Sequence, residues 1–213
     1  MVRGGQEGAV KGHNPKRSGR NSHHPLIAFV SDLRMIANYW LRQGNTAAST
    51  NYLSFLEDTL ENLAGKGVGL IRMNSGFFTG EILEYLEQKD LKYKVACKFT
   101  WPTKRELVGG KAWMEVADGI EMAETVYQAQ SWITPRRIVM VRQEIENHPD
   151  AACKIVKQLC LFEDQSDFGK YRYSCFVTNL DLPMKVVYDT YRGRATMRTG
   201  LKNSRPISPS TAL

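Results

Sequence analysis

A strand–helix–strand segment in the first half of the chain constrains the fold more than any other feature. An apolar run predicts a buried strand at 68–73, Thr79 can cap a helix at 80–88, and a second strand is predicted at 93–99. This order predicts a crossover between two parallel strands of one sheet. Ligands of such sheets gather at the carboxyl ends of the strands. Asn74 occupies that position, where a metal-dependent enzyme would carry a carboxylate.

The flanking sequence predicts an α/β fold class. Two adjacent strand-like runs, 25–32 and 33–41, predict an antiparallel pair, and leucines at helical spacing predict a helix at about 47–64 with Ser49 or Thr50 as its N-cap. Beyond Thr100, runs rich in Val, Met and aromatic residues predict four short strands at 113–116, 121–127, 137–142 and 171–177. A final helix is predicted to begin at Pro183 and to pass through Tyr188, Tyr191 and Ala195.

Several classes of protein fit the composition poorly. No apolar run approaches the roughly 20 residues that a membrane helix needs. The N-terminus is basic and Gly-rich and lacks the apolar core of a signal peptide. We therefore predict a cytoplasmic protein with no membrane partner. The four cysteines are scattered without a C-x-x-C pair, which argues against zinc.

Positive charge is concentrated near the two ends of the chain. Residues 1–25 hold five Lys and Arg against one Glu, and residues 185–205 hold six against one Asp, within a net charge of +7. Clustered cations favour a nucleic-acid partner, although two solvated tails explain the pattern equally well. The candidates for phosphate contacts in the N-terminal cluster are Lys11, Lys16, Arg17 and Arg20.

Four stretches of the chain carry a resemblance to a known family. They are GAVKGHNPKRSGRNSHHPL at 8–26, ANYWLRQGNTAA at 37–48, IRMNSGFF at 71–78, and VTNL with VYDTYRGRA within 177–195. Together they resemble the DDE transposases of bacterial insertion sequences, in the group with a Tyr-x2-Arg-x3-Glu-x6-Lys signature. Tyr191 and Arg194 match the first two signature residues. The likeness covers roughly 7–197.

The resemblance implies a ribonuclease-H-like core with a β-rich insertion before the last helix. It implies DNA at the element ends as the partner, and a homo-oligomer or an intact transposase as a possible second partner. The predicted segments are a basic Gly-rich arm at 1–24, a first part of the core at 25–107, the insertion at 108–180, a final core helix at 181–197 and a tail at 198–213. The strand pair at 25–41 would supply the second and third core strands.

The implied reaction is metal-dependent DNA cleavage and strand transfer, in which three carboxylates hold two Mg²⁺ ions. This chain departs from that pattern at each carboxylate. No Asp precedes Asp32, so the first family Asp and the core strand that carries it have no counterpart. The second family Asp aligns with Asn74, although a turn-forming Asn before Ser75 and Gly76 explains this residue equally well. The family Glu aligns with Arg198, a cation that repels a metal. We therefore predict that the core is incomplete, that no intact metal site exists and that Mg²⁺ is not bound.

The tail at 198–213 is predicted to be an out-of-frame, disordered extension. With inferred codons, deletion of one nucleotide converts a family-like Glu-Asn-Arg-Leu-Lys-Lys-Leu-Lys into the sequence from Arg198 to Arg205. The chain is thus predicted to be a catalytically inactive transposase fragment, truncated at both ends. The alternative is a non-enzymatic DNA-binding remnant that interferes with intact transposase, in which Tyr191 and Arg194 assist the basic arm.

Overall fold

The structure is a computed structural model, and it describes residues 7–12, 19–98, 108–109, 111–145 and 170–192, with side chains through Thr190. The chain divides into two compact units, one formed by Met1–Lys66 with Asp189–Leu213 and the other by Gly67–Tyr188. Among the described residues, no helix is both long and apolar enough to cross a membrane. The α/β fold class is confirmed.

The first unit contains two hairpins and a helix. Its elements are β1 (Val10–Lys11), β2 (Asn21–Ser22), β3 (Leu26–Val30), β4 (Met35–Trp40) and α1 (Tyr52–Asn62). β1 pairs with β2 and β3 pairs with β4, both antiparallel, which confirms the predicted pair at 25–41. The β1–β2 hairpin lies close to the loop after β4, because a Cβ added at Gly44 would lie 2.4 Å from the Ser22 carbonyl oxygen.

Helix α1 packs on one face of the β3–β4 hairpin. The Trp40 ring lies 5.5 Å from the Phe55 ring, and Asp58 accepts hydrogen bonds from the Trp40 indole and from the Asn38 amide at 2.8 and 2.9 Å. The predicted N-cap of this helix is wrong. The helix begins after Asn51, which has a left-handed φ of 55° and makes no side-chain cap bond. Turns therefore replace helix in the first five predicted residues.

The second unit is built on a six-stranded mixed sheet. Its elements are β5 (Ile71–Met73), a 3₁₀ turn (Ser75–Phe77), α2 (Gly80–Gln88), β6 (Tyr93–Ala96), β7 (Met114–Ala117), β8 (Ile120–Tyr127), β9 (Arg136–Glu144), β10 (Tyr171–Thr178) and α3 (Met184–Arg192), whose residues up to Tyr188 belong to this unit. The spatial order is β5-β6-β10-β9-β8-β7. β5 and β6 are parallel, which confirms the predicted crossover, and the other pairs are antiparallel.

The four strands predicted beyond Thr100 are confirmed to within a few residues. They continue the sheet that β5 and β6 begin, because β10 pairs with β6. The pair β3–β4 instead forms a two-stranded sheet of its own. The ribonuclease-H-like assignment and the five segment boundaries therefore stay predictions.

The core of the second unit lies between α2 and one face of the sheet. Thr79 caps α2 as predicted, since its hydroxyl oxygen accepts a hydrogen bond from the Ile82 N–H. The predicted apolar face of α2 is buried, with Ile82, Leu83 and Leu86 each at most 2 % exposed. Burying side chains of this size stabilises the fold by about 2 kcal/mol each.

Candidate functional site

Asn74 lies at the carboxyl end of β5, the position that the sequence predicts. Its side-chain Oδ1 accepts a hydrogen bond from the Gly76 N–H at 2.9 Å, and its carbonyl oxygen accepts one from the Phe77 N–H at 3.1 Å. The residue thereby caps the 3₁₀ turn at Ser75–Phe77. Asparagine serves this local role well because its short side chain reaches the backbone two residues ahead. The observed role of Asn74 is that of a turn-forming residue.

The surroundings of Asn74 fit a Mg²⁺ pair poorly. Mg²⁺ in proteins is held through carboxylates together with water and phosphate oxygens. Within the described ranges, no three His, Cys, Asp or Glu side chains form a group that could hold a metal ion. Asn74 brings no charge, and two cations, Arg72 and Lys94, are register partners on β5 and β6. The residues in this part of the sheet therefore do not match the chemistry of the cation.

Lys94 is an unusual member of the sheet because its side chain is fully buried. Its exposed fraction is 0 %. The ammonium donates a hydrogen bond to the Val187 carbonyl oxygen of α3 and lies 4.4 Å from the centre of the Phe176 ring. A buried ammonium needs such partners because desolvation of an unpaired charge is costly. Lys94 thus ties β6 and β10 to the final helix.

The remaining residues of the predicted site are only partly described. Tyr191 lies on α3, as predicted, but its side chain is outside the described part of the structure. Four other predicted residues lie outside the described ranges altogether: Lys16, Arg17, Arg194 and Arg198. Their assigned roles stay predictions.

Two of the four predicted DNA-binding cations are described, and both are exposed. Lys11 lies on β1, and Arg20 comes immediately before β2. The hairpin register pairs Lys11 with Asn21, so the backbone of Lys11 lies opposite the residue that follows Arg20. Long cationic side chains on an exposed hairpin are well suited to contact phosphate groups. The structure therefore brings together one half of the predicted basic cluster.

The Thr178-Asn179-Leu180 segment of the resemblance lies away from Asn74. Asn74 follows the end of β5, whereas Asn179 is placed at the start of β6, which runs parallel to β5. The Asn179 Oδ1 accepts a hydrogen bond from the Tyr93 N–H at 2.8 Å, and its Nδ2 donates one to the Leu91 carbonyl oxygen at 2.9 Å. The Asn179 side chain joins the end of β10 to the start of β6. It therefore lies at the opposite end of the parallel β5–β6 pair from Asn74.

A pocket of about 280 Å³ lies beside Asn179, and its lining includes an ion pair that the sequence analysis missed. Arg136 is 4 % exposed and donates two hydrogen bonds to the Glu87 carboxylate at 2.7 and 2.8 Å. The Tyr93 hydroxyl donates a third to Glu87 at 2.6 Å. The Trp132 ring lies 4.9 Å from the guanidinium carbon. Neither sequence spacing nor motif signals this cluster, because Glu87 and Arg136 lie far apart along the chain.

Electrostatics in this cluster favour the charged forms of both partners. Burial alone would raise the pKa of Glu87, but hydrogen bonds from Arg136 and Tyr93 and the charge of Arg136 outweigh it and hold that pKa below its usual value. Burial alone would lower the pKa of Arg136, and its hydrogen bonds and ion pair with Glu87 raise it overall. The cluster is therefore a stable ion pair, and neither partner is a candidate for proton transfer near neutral pH.

Comparison with known proteins identifies the family. The family model described as Transposase DDE domain group 1 matches residues 6–208, which is nearly the whole chain and includes Asn74 and the signature region. Comparison with curated proteins finds no match. Members of this family act on DNA as transposases, which makes DNA the expected partner. Since the match spans far more than half of the sequence, this chain belongs to the group 1 DDE transposase family.

Proposed function

We propose that this chain is an insertion-sequence transposase-family protein that binds DNA without cutting it. The observation that supports this proposal most strongly is the charge and the hydrogen bonding of the Asn74 side chain. At the family's second Asp position the side chain is neutral, and its oxygen already accepts a hydrogen bond from the Gly76 N–H. The ancestral reaction needs carboxylates there because two neighbouring divalent cations repel each other. A single amide oxygen cannot offset that repulsion.

The sequence at the family Glu position supports the same proposal. Arg198 occupies that position by alignment with the signature that starts at Tyr191. A guanidinium about 4 Å from a divalent ion is repelled by about 8 kcal/mol at an effective dielectric near 20. The same cation attracts a DNA phosphate. The proposed cytoplasmic protein would therefore hold DNA where an active relative would cleave it.

DNA binding is the part of the family activity that the described cations could support. Lys11 and Arg20 are exposed on or beside the β1–β2 hairpin, and their contacts need no metal. A chain that occupies element ends without cleaving them would interfere with intact transposase. Interference with intact transposase is therefore the second candidate function. It requires that the inactive chain bind DNA, whereas an inactive fragment without affinity for DNA would not interfere.

The first prediction concerns cleavage. Full-length protein incubated with a supercoiled plasmid carrying its own gene and flanks, with Mg²⁺ or Mn²⁺, is expected to leave the plasmid intact. Asn74→Asp is expected to remain inactive, because one carboxylate does not make a two-metal site. Nicking is measured by gel electrophoresis. Cleavage by the unmodified protein that Asn74→Ala abolishes would refute the proposal.

The second prediction concerns DNA binding. The logarithm of the binding constant is expected to fall linearly with the logarithm of salt concentration, by about 0.9 per phosphate contact. The double substitution Lys11→Gln/Arg20→Gln should reduce that slope by about 2. Fluorescence anisotropy with a duplex from the gene's flanks gives both values.

The matched control for this experiment removes two exposed cations elsewhere, Lys66→Gln/Lys89→Gln. It keeps the same net charge as the test variant and should leave the slope unchanged. Equal slopes for both variants would show that the hairpin makes no specific phosphate contacts. Absence of binding at low salt would remove the DNA-binding proposal altogether.

A further inference from the structure

Two cysteines lie opposite each other on neighbouring strands of the second unit. The register of β10 with β6 pairs Phe176 with Ala96. The Cys97 N–H donates a hydrogen bond to the Cys175 carbonyl oxygen at 2.9 Å, which continues this antiparallel register by one residue. Directly opposite residues of an antiparallel pair project their side chains to the same face of the sheet. The two thiols therefore share one face.

The spacing of Cys97 and Cys175 suits a covalent bond between them. A hydrogen-bonded antiparallel pair has its Cα atoms about 5.5 Å apart, and disulfides join Cα atoms that are roughly 4.4–6.8 Å apart. The side chains are already in contact, because the Cys97 thiol is hydrogen-bonded to the Cys175 thiol. A disulfide between these two residues therefore needs little movement of the backbone.

The surroundings of the two thiols are apolar. Cys97 is 7 % exposed and Cys175 is 4 % exposed. On β9 the register partner of Cys175 is Met140, and two residues along the β6–β10 pair Val95 lies opposite Val177. These three neighbours are fully buried. A disulfide carries no charge, so its formation leaves no charged group in this part of the core.

Metal binding suits the two cysteines less well than oxidation. Burial and the hydrogen bond to Cys175 raise the pKa of the Cys97 thiol well above its usual value. A metal complex keeps its thiolates permanently, whereas oxidation needs a thiolate only as the attacking species. In the described part of the chain, no group of three His, Cys, Asp or Glu side chains could hold a metal ion.

We propose that Cys97 and Cys175 form a redox modification site, which hydrogen peroxide converts into a disulfide between β6 and β10. One sulfur attacks the peroxide as a thiolate and the O–O bond breaks. Its proton passes to the leaving hydroxide, so that a sulfenic acid and one water form. The other thiol then attacks the sulfenic sulfur, the S–S bond forms and a second water leaves. Hydrogen peroxide is small and uncharged, which suits a buried pair.

The disulfide would strengthen the connection between two parts of the sheet. β10 connects the antiparallel strands β9, β8 and β7 to the parallel β5–β6 pair. The bond closes a loop that contains residues 98–174. Closing a loop of this length restricts the unfolded chain and should lower the equilibrium constant of unfolding by about 1000-fold. The inference does not depend on the proposed DNA binding, because neither cysteine belongs to the basic cluster.

The test oxidises the folded and fully reduced full-length chain with hydrogen peroxide. The chain is then unfolded in N-ethylmaleimide, which blocks the remaining thiols, and is digested with trypsin for mass spectrometry without reduction. We expect Val95–Lys98 linked to Tyr173–Lys185, lighter by two hydrogen atoms than the two free peptides together. Dithiothreitol should separate the peptides. The oxidised chain should also unfold at a higher urea concentration than the reduced chain.

The controls use the two other cysteines of the chain, Cys153 and Cys160. The variant Cys153→Ser/Cys160→Ser should form the same linked peptides, and Cys175→Ser should form no link to Cys97. Oxidation of the unmodified chain in concentrated urea should favour the link between Cys153 and Cys160, because a shorter loop closes at a lower entropic cost.

Three results would overturn the proposal. Recovery of Cys97 and Cys175 as thiols or as sulfinic acids after peroxide treatment would mean that they do not form a disulfide. A link from Cys97 to Cys153 or Cys160 in the folded chain would mean that another thiol is its partner. An equal yield of the Cys97–Cys175 link in urea would mean that the fold does not position the pair. All three are read on the unmodified chain, so they hold even if a variant does not fold.

Discussion

Replacing Glu87 with alanine is expected to lower the free energy of unfolding by about 3–5 kcal/mol, the usual cost of leaving a buried partner charge uncompensated. The charge left behind is the guanidinium of Arg136. Its side chain is 3 % exposed and donates two hydrogen bonds to the Glu87 carboxylate. Glu84, at 3.9 Å, is too distant to replace those hydrogen bonds. Chemical denaturation followed by circular dichroism measures the loss.

The control for Glu87→Ala is Glu81→Ala, which removes an exposed carboxylate from the first turn of the same helix. Its cost should stay below about 1 kcal/mol, the usual size of a helix-dipole contribution. A double variant that also carries Arg136→Met should recover part of the loss, because no charge is then left buried. Equal losses for Glu87→Ala and Glu81→Ala would mean that Arg136 is satisfied without Glu87.

The ion pair of Glu87 with Arg136 makes the free energy of unfolding depend on pH, and the pKa of Glu87 determines the direction of that dependence. The pKa of Glu87 lies below its usual 4.5 in the folded chain, so the unfolded state takes up a proton at higher pH than the folded state. The pair's contribution is therefore fully present above about pH 4.5 and declines as pH falls through the folded pKa. The free energy of unfolding of the unmodified protein should exceed that of Glu87→Gln by a constant amount near neutral pH, and this difference should decrease in acid. A difference that grows in acid would contradict this sign.

Replacing Asn179 with alanine is expected to lower the free energy of unfolding by about 2–4 kcal/mol. Each buried backbone group left without a hydrogen-bond partner costs about 1–3 kcal/mol, and the Asn179 side chain is hydrogen-bonded to two such groups. These groups are the Tyr93 N–H and the Leu91 carbonyl oxygen, which lie at the entry to β6. Thermal and urea unfolding would report the loss.

Asn179→Asp separates the two hydrogen bonds of this residue. Aspartate keeps an acceptor for the Tyr93 N–H but turns an oxygen toward the Leu91 carbonyl oxygen, so the donor contact is lost and replaced by repulsion. We expect a loss comparable to that of Asn179→Ala. Asp181→Ala, an exposed neighbour, is the control and should change stability by less than about 0.5 kcal/mol. A fully stable Asn179→Asp variant would mean that the contact to Leu91 is dispensable.

Short-range features of this chain were determined by the sequence alone. The strand–helix–strand order, the Thr79 cap and the buried face of α2 follow from side-chain periodicity and from one hydrogen bond across three residues. The β3–β4 pair is equally local, since its strands are joined by a tight turn. The cap of α1 escaped prediction because Asn51 adopts a left-handed conformation that two neighbouring hydroxyl residues, Ser49 and Thr50, do not signal.

Features that join distant residues were decided only by the tertiary structure. The sequence places Asn179 just after a strand, but only the geometry assigns its side chain to the Tyr93 N–H and the Leu91 carbonyl oxygen. The ion pair of Glu87 with Arg136 depends on α2 packing beside β9, and nothing in either local sequence specifies that contact. Periodicity reports which face of an element is apolar, whereas the partner that covers that face is selected by packing across the whole chain.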